Sequence, residues 1–370
     1  MSVYIIICLL AFLLSCICGF LIIPQIMNFC KEKQLYDIPN MRKVHKNAIP
    51  RLGGISFLPS ILASTIVALL VWAYAYNGKK IDISPWTIFF GIGLGIIYTM
   101  GLIDDVFGMK ARVKFFIQII ASSLLPSSWL YINNLYGFLG IYEIPYWIGA
   151  PLTVFLLVFI MNAMNLIDGI DGLSASLSFI ALFGFLHNFF LEQLWIYCIL
   201  IAGLIGVLIP FLYYNIFGKI ENNRKIFMGD SGSLTIGYIL GVLFVKFCMY
   251  NPNVMGYRRE SMFLSFTLLI VPTFDVCRII ITRILHGHKI FQPDKNHIHH
   301  KLMRAGLSQH QTLLAIISLA IFYIVFNAVF YDFISITLLV LIDIILYICL
   351  HLFVINRYIK KKNEQPFQEY

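Results

Sequence analysis

The stretch from Thr87 to Asp105, TIFFGIGLGIIYTMGLIDD, carries no charge until it ends on two adjacent carboxylates, Asp104 and Asp105. As a helix rising about 1.5 Å per residue, the uncharged run nearly spans the roughly 30 Å of a bilayer's hydrocarbon. Ionised side chains at such an end are costly near lipid and are usually kept for function. Two further polar clusters interrupt the apolar pattern: Asn162, Asn165, Asp168 and Asp171 within residues 162–172, and Asp230 within residues 227–233. Carboxylates gathered at one membrane face point to a metal ion and a phosphate.

With 60% hydrophobic and 12% charged residues and a mean hydropathy of +0.84, the chain departs from soluble domains, whose charged share is nearer about 25%. It reads as an all-α polytopic membrane protein. Stretches long enough to cross occur near 3–24, 53–76, 85–103, 114–132, 146–163, 173–191, 194–217, 232–250, 261–282, 312–330 and 333–355, about eleven transmembrane helices. They form one integral membrane domain over 1–356, followed by a basic tail over 357–370. Lysine and arginine concentrate after the odd-numbered spans and in the tail, while the opposite loops hold only Lys79, Lys80, Arg258 and Arg259. Positive loops stay cytoplasmic, so the N-terminus is expected outside, and the C-terminus and every acidic cluster inside. The first span lacks the positive residue that precedes a cleavable signal and reads as a retained helix. The eight cysteines lie in or beside spans without metal-type spacing, as packing residues do. The net charge of +9 fits topology and anionic lipid rather than nucleic acid.

Around Asp230 the sequence is Phe227-Met-Gly229-Asp230-Ser-Gly232-Ser233. Glycine lets a backbone approach a ligand closely, and the first amides of a helix point at an anion. A carboxylate there suits magnesium on a diphosphate, since that ion takes one or two carboxylates plus phosphate oxygens. Taken alone, the same residues also read as an N-cap. Asn162, Asn165, Asp168 and Asp171 recur at three-residue steps, near one face of a helix end, and form a polar pocket suited to a nucleotide or sugar. The plain alternative is a C-cap followed by an Asx turn.

Asp104 and Asp105 are neighbours and cannot both turn the same way. One faces the site; the other faces loop amides or Lys110, Arg112 and Lys114. His297, His299 and His300, flanked by Lys295 and Lys301, supply donors and positive charge for a diphosphate. A zinc site is the weaker alternative, since no cysteine accompanies them. The loop 37–54 gathers Arg42, Lys43, His45, Lys46 and Arg51 before Gly53-Gly54, which adds an anion contact to ordinary positive-inside topology. Asp275 has Arg278 three residues on as its partner, a structural pair. Asp343 has no evident partner.

Taken in order, these five loops resemble the membrane-embedded polyprenyl-phosphate N-acetylhexosamine-1-phosphate transferases, over about residues 37 to 302. The His-x-His-His pattern looks most like the bacterial undecaprenyl-phosphate N-acetylglucosamine-1-phosphate transferase branch. The resemblance implies transfer of a sugar 1-phosphate from a UDP-N-acetylhexosamine to undecaprenyl phosphate, releasing UMP, with magnesium or manganese, at the cytoplasmic face of the bacterial inner membrane. It implies Asp230 as metal ligand with Asn165 close by, Phe227 stacked on uracil, and Asp168 and Asp171 lining the nucleoside pocket. Asp104 and Asp105 would lie near the lipid phosphate, and His297, His299 and His300 would contact diphosphate or sugar. Asn162, His45, Lys43, Lys110 and Lys114 complete the expected substrate contacts. Ile38 stands where many relatives carry a basic residue, and beyond Arg304 the likeness is only one of hydrophobic helices. A homodimer is compatible with the sequence.

The expected chemistry is attack by a lipid phosphate oxygen on the β-phosphorus of the UDP-sugar. A phosphate monoester is already mostly ionised near neutrality, so direct displacement needs little general-base help; a covalent aspartyl intermediate is the rival route. Two other function classes compete. An anion transporter would place its polar groups near mid-bilayer, and an accessory scaffold would leave the aspartates dispensable.

Overall fold

The computed structural model describes residues 2–37, 48–75, 85–222, 224–287, 296–356 and 359. At its centre stands α8 (Gly229–Cys248), in which every residue from Ser231 onward is buried. Its glycines and serines explain that position, because helices without side-chain bulk approach until their backbones touch. A Cβ on Gly237 would lie 2.7 Å from the Cα of Met161 in α5 (Tyr146–Ile167). One on Gly101 of α3 (Pro85–Phe107) would lie 2.5 Å from the Cα of Ser231. Gly54, just ahead of α2 (Phe57–Ala75), has no room for a Cβ against the backbone of Gly232. Three neighbours are thus locked against α8, two at its start and α5 nearer its middle.

Around this axis α1 (Ser2–Lys33) packs on α2 and on α7 (Trp195–Leu212), α4 (Ala111–Ser127) lies between α3 and α5, and α6 (Leu173–Leu191) meets α7 and α8. The outer surface is apolar. Ile6, Leu9, Leu13, Ile17 and Leu21 are exposed along one stripe of α1 at helical spacing, the face that lipid covers. Among the described residues eight helices are long and apolar enough to cross a membrane, or nine if one bent pair counts as a single span. The shorter α4 and α13 (Ile336–Cys349), with 17 and 14 residues, lie where the fourth and eleventh spans are expected.

The bent pair is α9 (Ser261–Leu268) and α10 (Ile270–Leu285), set at 74° where one continuous span over 261–282 is expected. Pro272 accounts for the break, since it has no N–H for the Leu268 carbonyl one turn earlier and its ring clashes there. Short α11 (Ile298–Arg304) and long α12 (Gln309–Phe330) follow. Asp343 gains an account here: Asn327 of α12 donates to its Oδ2 at 2.9 Å and also to Thr267 Oγ1 at 3.0 Å. That buried bond joins α9, α12 and α13.

Two small antiparallel sheets complete the fold. β3 (Asn134–Phe138) and β4 (Ile141–Glu143) form a hairpin between α4 and α5, a feature the apolar pattern does not announce. At the other end β1 (Tyr36–Asp37) pairs with β2 (Ile49–Pro50). Phe227 N donates to the Pro50 carbonyl at 2.7 Å, and Gly53 N and Gly54 N donate to the carbonyls of Phe227 and Met228 at 2.9 and 2.8 Å. The first loop therefore holds the segment leading into α8.

Candidate active site

The acidic end of α3, the polar end of α5 and the first turn of α8 meet at one end of the bundle. Asp230 sits in that first turn. Its Oδ1 accepts a hydrogen bond from Asn165 Nδ2 at 3.0 Å, and its Oδ2 pairs with Lys114 Nζ at 2.7 Å. The same ammonium reaches Asp104 Oδ2 at 2.9 Å, so one lysine of α4 bridges two carboxylates from separate helices. Asn165 also donates to Ser233 Oγ at 2.8 Å. Asp104 is held in place by Met109 N, which donates to its Oδ1 at 2.6 Å.

Asp105 turns the other way. Its two oxygens accept from the backbone amides of Asp230 and Ser231 at 2.8 and 2.9 Å, and it is only 4% exposed. It caps α8 from a neighbouring helix, satisfying amides that a helix start leaves without partners. Of the adjacent pair, only Asp104 is presented to the site.

The 162–172 segment divides its residues among several tasks. Asn162 donates to Gln118 Oε1 and to the Val158 carbonyl, both at 2.7 Å, so its amide is turned toward α4. Asp171 pairs with Lys225 Nζ at 2.6 Å. Asn215, buried at the end of α7, accepts from Gly172 N at 2.5 Å and donates to the Ile226 carbonyl at 2.7 Å. Lys225, Asn215 and Gln118 are site residues that no local motif announces, because each finds its partner in a different loop. Asp168 follows the last residue of α5; burial and the nearby Asp230, Asp171 and Asp105 push its carboxyl up to about 8. Acids this crowded call for a cation.

The histidine helix joins the same place. His299 is 1% exposed, and its ring lies so close over Gly169 that a Cβ there would collide with it. The His297 and His299 rings stack at 5.8 Å, and those of His299 and His300 lie 4.2 Å apart. Among the described residues neither ring nitrogen of His299 has a partner. Burial, then His300 and His297, push it down to about 3. At neutral pH it is an uncharged donor or acceptor, so the positive charge beside it belongs to the flanking lysine ammoniums rather than to this ring. Lys110 is exposed just ahead of α4, and Phe227 is half-buried. Lys43 and His45 lie outside the described residues.

A dependence on pH follows from His299. An unfolded histidine takes up its proton near 6.5, whereas this one resists until about 3, so below pH 6.5 acid favours the unfolded chain. Asp168 acts oppositely, its contribution growing as pH falls from about 8 toward 3.8, but it is common to wild type and variant. Between pH 7.5 and 5 the wild-type thermal midpoint is expected to fall several degrees relative to His299→Phe. Parallel curves from thermal scans in detergent contradict the placement.

The donors suit a hard divalent ion. Among the described residues no three or more His, Cys, Asp or Glu side chains could hold a metal ion by themselves. Magnesium needs no cage, because it takes one or two carboxylates and completes its shell with water and phosphate oxygens. Asp230 beside an amide side chain fits that requirement, and the Lys114 ammonium already shows that the acids draw a cation between them.

Residues 86–248 match the profile of glycosyl transferase family 4. The chain is 32% identical to a Bacillus subtilis (strain 168) protein named "Probable undecaprenyl-phosphate N-acetylglucosaminyl 1-phosphate transferase", over 83% of this chain and 80% of that one. It is 32% identical to a decaprenyl-phosphate N-acetylglucosaminephosphotransferase of Mycobacterium tuberculosis (strain ATCC 25618 / H37Rv), covering 78% and 74%. Identity is 28% to an undecaprenyl-phosphate alpha-N-acetylglucosaminyl 1-phosphate transferase of Escherichia coli (strain K12), covering 77% and 74%.

Proposed function

Because the chain belongs to glycosyl transferase family 4, we propose that it transfers N-acetylglucosamine 1-phosphate from UDP-N-acetylglucosamine to undecaprenyl phosphate and releases UMP, starting a lipid-linked cell-envelope glycan. The observation that carries the reading is the meeting at one end of the bundle of Asp104 and Asp230 on Lys114, with Asn165 donating to Asp230. A transporter would need such groups halfway along its helices.

In this reading the chain crosses the bacterial cytoplasmic membrane eleven times, with the N-terminus outside and the site at the cytoplasmic surface, where the basic loops lie. A phosphate oxygen of the lipid attacks the β-phosphorus of the donor, the new P–O bond forms, and the bond to the α-phosphate oxygen breaks as UMP departs. Two anions must meet, so charge is the main obstacle to be overcome. Asp230, with Asn165 beside it, would hold a magnesium ion, for which manganese could substitute, and the ion would supply positive charge to the diphosphate. Lys114 exchanges a carboxylate for a phosphate oxygen, and Asp104 orients the acceptor. Phe227 and the Asp168–Asp171 segment receive the uridine, while the histidines donate to the diphosphate or the sugar.

Purified protein in lipid nanodiscs, given undecaprenyl phosphate, magnesium and a panel of UDP-sugars, tests this by UMP release and labelled lipid. UMP and lipid product are expected in equal amounts with UDP-N-acetylglucosamine. No turnover with any UDP-N-acetylhexosamine contradicts the reading.

A further inference from the structure

Asp275 is expected from the sequence to be the partner of Arg278, three residues on. The structure gives it more. Buried with no exposed surface, its Oδ1 accepts from Arg278 Nη2 at 2.8 Å, from Ile298 N at 3.0 Å and from Tyr347 OH at 3.4 Å. Its Oδ2 lies 2.9 Å from Nδ1 of His297. Arg278 is itself anchored by the Asn296 carbonyl. A fully buried carboxylate is retained only where several donors repay its desolvation, and here they come from α10, the start of α11 and α13.

This arrangement fixes one feature of His297. A carboxylate can only accept, so Nδ1 must carry the hydrogen and Nε2 is left as the working nitrogen. The ring stacks on His299 over Gly169. We infer that Asp275 is the positioning residue of the transfer reaction, acting through His297, whose tautomer and ring orientation it sets toward the diphosphate, with Tyr347 of α13 bracing it from behind. The inference deepens the proposed function and rests on it for the identity of the ligand. It also gives the C-terminal helices, which resemble the family only as hydrophobic segments, a role behind the site.

Two readouts test it. Nitrogen NMR of histidine-labelled protein in bilayers, with the His297 signal assigned through its loss in His297→Ala, is expected to show a protonated Nδ1 in wild type. In Asp275→Asn the carbonyl oxygen keeps the donors Arg278, Ile298 N and Tyr347, so the NH2 takes the place of Oδ2 and donates to the ring, and the proton moves to Nε2. A wild-type His297 protonated at Nε2 alone overturns the inference without need of any Asp275 variant, as does an unchanged signal in Asp275→Asn. Kinetically, Asp275→Asn should lower kcat/KM for the donor by on the order of 10²-fold, yet by less than about threefold in a His297→Ala background. An equal loss in both backgrounds marks a purely structural carboxylate and also overturns it. If the NMR result holds but wild-type protein turns over no UDP-sugar, the positioning stands and the proposed function falls.

Discussion

Asp230→Asn is expected to cut UMP release at least about 10³-fold while the thermal midpoint stays close to that of wild type. The side chain keeps its shape and can still accept from Asn165, so the packing around α8 is preserved. What disappears is the charge. Lys114 then faces an amide in place of the carboxylate now 2.7 Å away, and a divalent ion loses its one ionised ligand from α8. Kinetics in nanodiscs together with thermal scans on the same preparation check both halves. Full activity in Asp230→Asn removes Asp230 from the chemistry.

The second large effect separates two neighbours that the sequence presents as a pair. Asp105→Ala strands the amides of Asp230 and Ser231 in a buried place, a loss of roughly 2–4 kcal/mol. Stability and activity should fall together, because the first turn of α8 carries Asp230. Asp104→Asn, in contrast, should leave the fold intact and slow the reaction by about 10²-fold, since only its contacts with Lys114 and Met109 change. Thermal denaturation and UMP release measured for both variants decide the matter. A stable, inactive Asp105→Ala beside an unstable Asp104→Asn reverses the assignment.

That contrast shows what the sequence could convey. Its hydrophobic runs announced helices, and the clusters at their ends announced which loops to join, because both signals are local. That the two aspartates divide their tasks was legible; which of them faces the site was not, since that depends on the rotation of α3 against α8, set by Gly101 against Ser231. Gly53-Gly54 could be read as opening a span. Its use, a backbone contact with Gly232 and two hydrogen bonds to the 227–228 segment, needed the fold. Asp275 shows the limit most clearly: Arg278 is visible three residues on, whereas His297 is twenty-two residues away. Asp343 has the same explanation, its partner Asn327 lying on another helix. The break before α10 did have a local signal, Pro272 inside an apolar run, which hydropathy alone passes over.

The central claim is that Asp230 makes this end of the bundle a divalent-ion site for a nucleotide-linked sugar. Equilibrium binding of labelled UDP-N-acetylglucosamine to wild type and Asp230→Asn, each with and without magnesium, measures it most directly. The account predicts that magnesium tightens binding at least about tenfold in wild type and has little effect in the variant, the coupling residing in that carboxylate. Equal tightening in both proteins would contradict it.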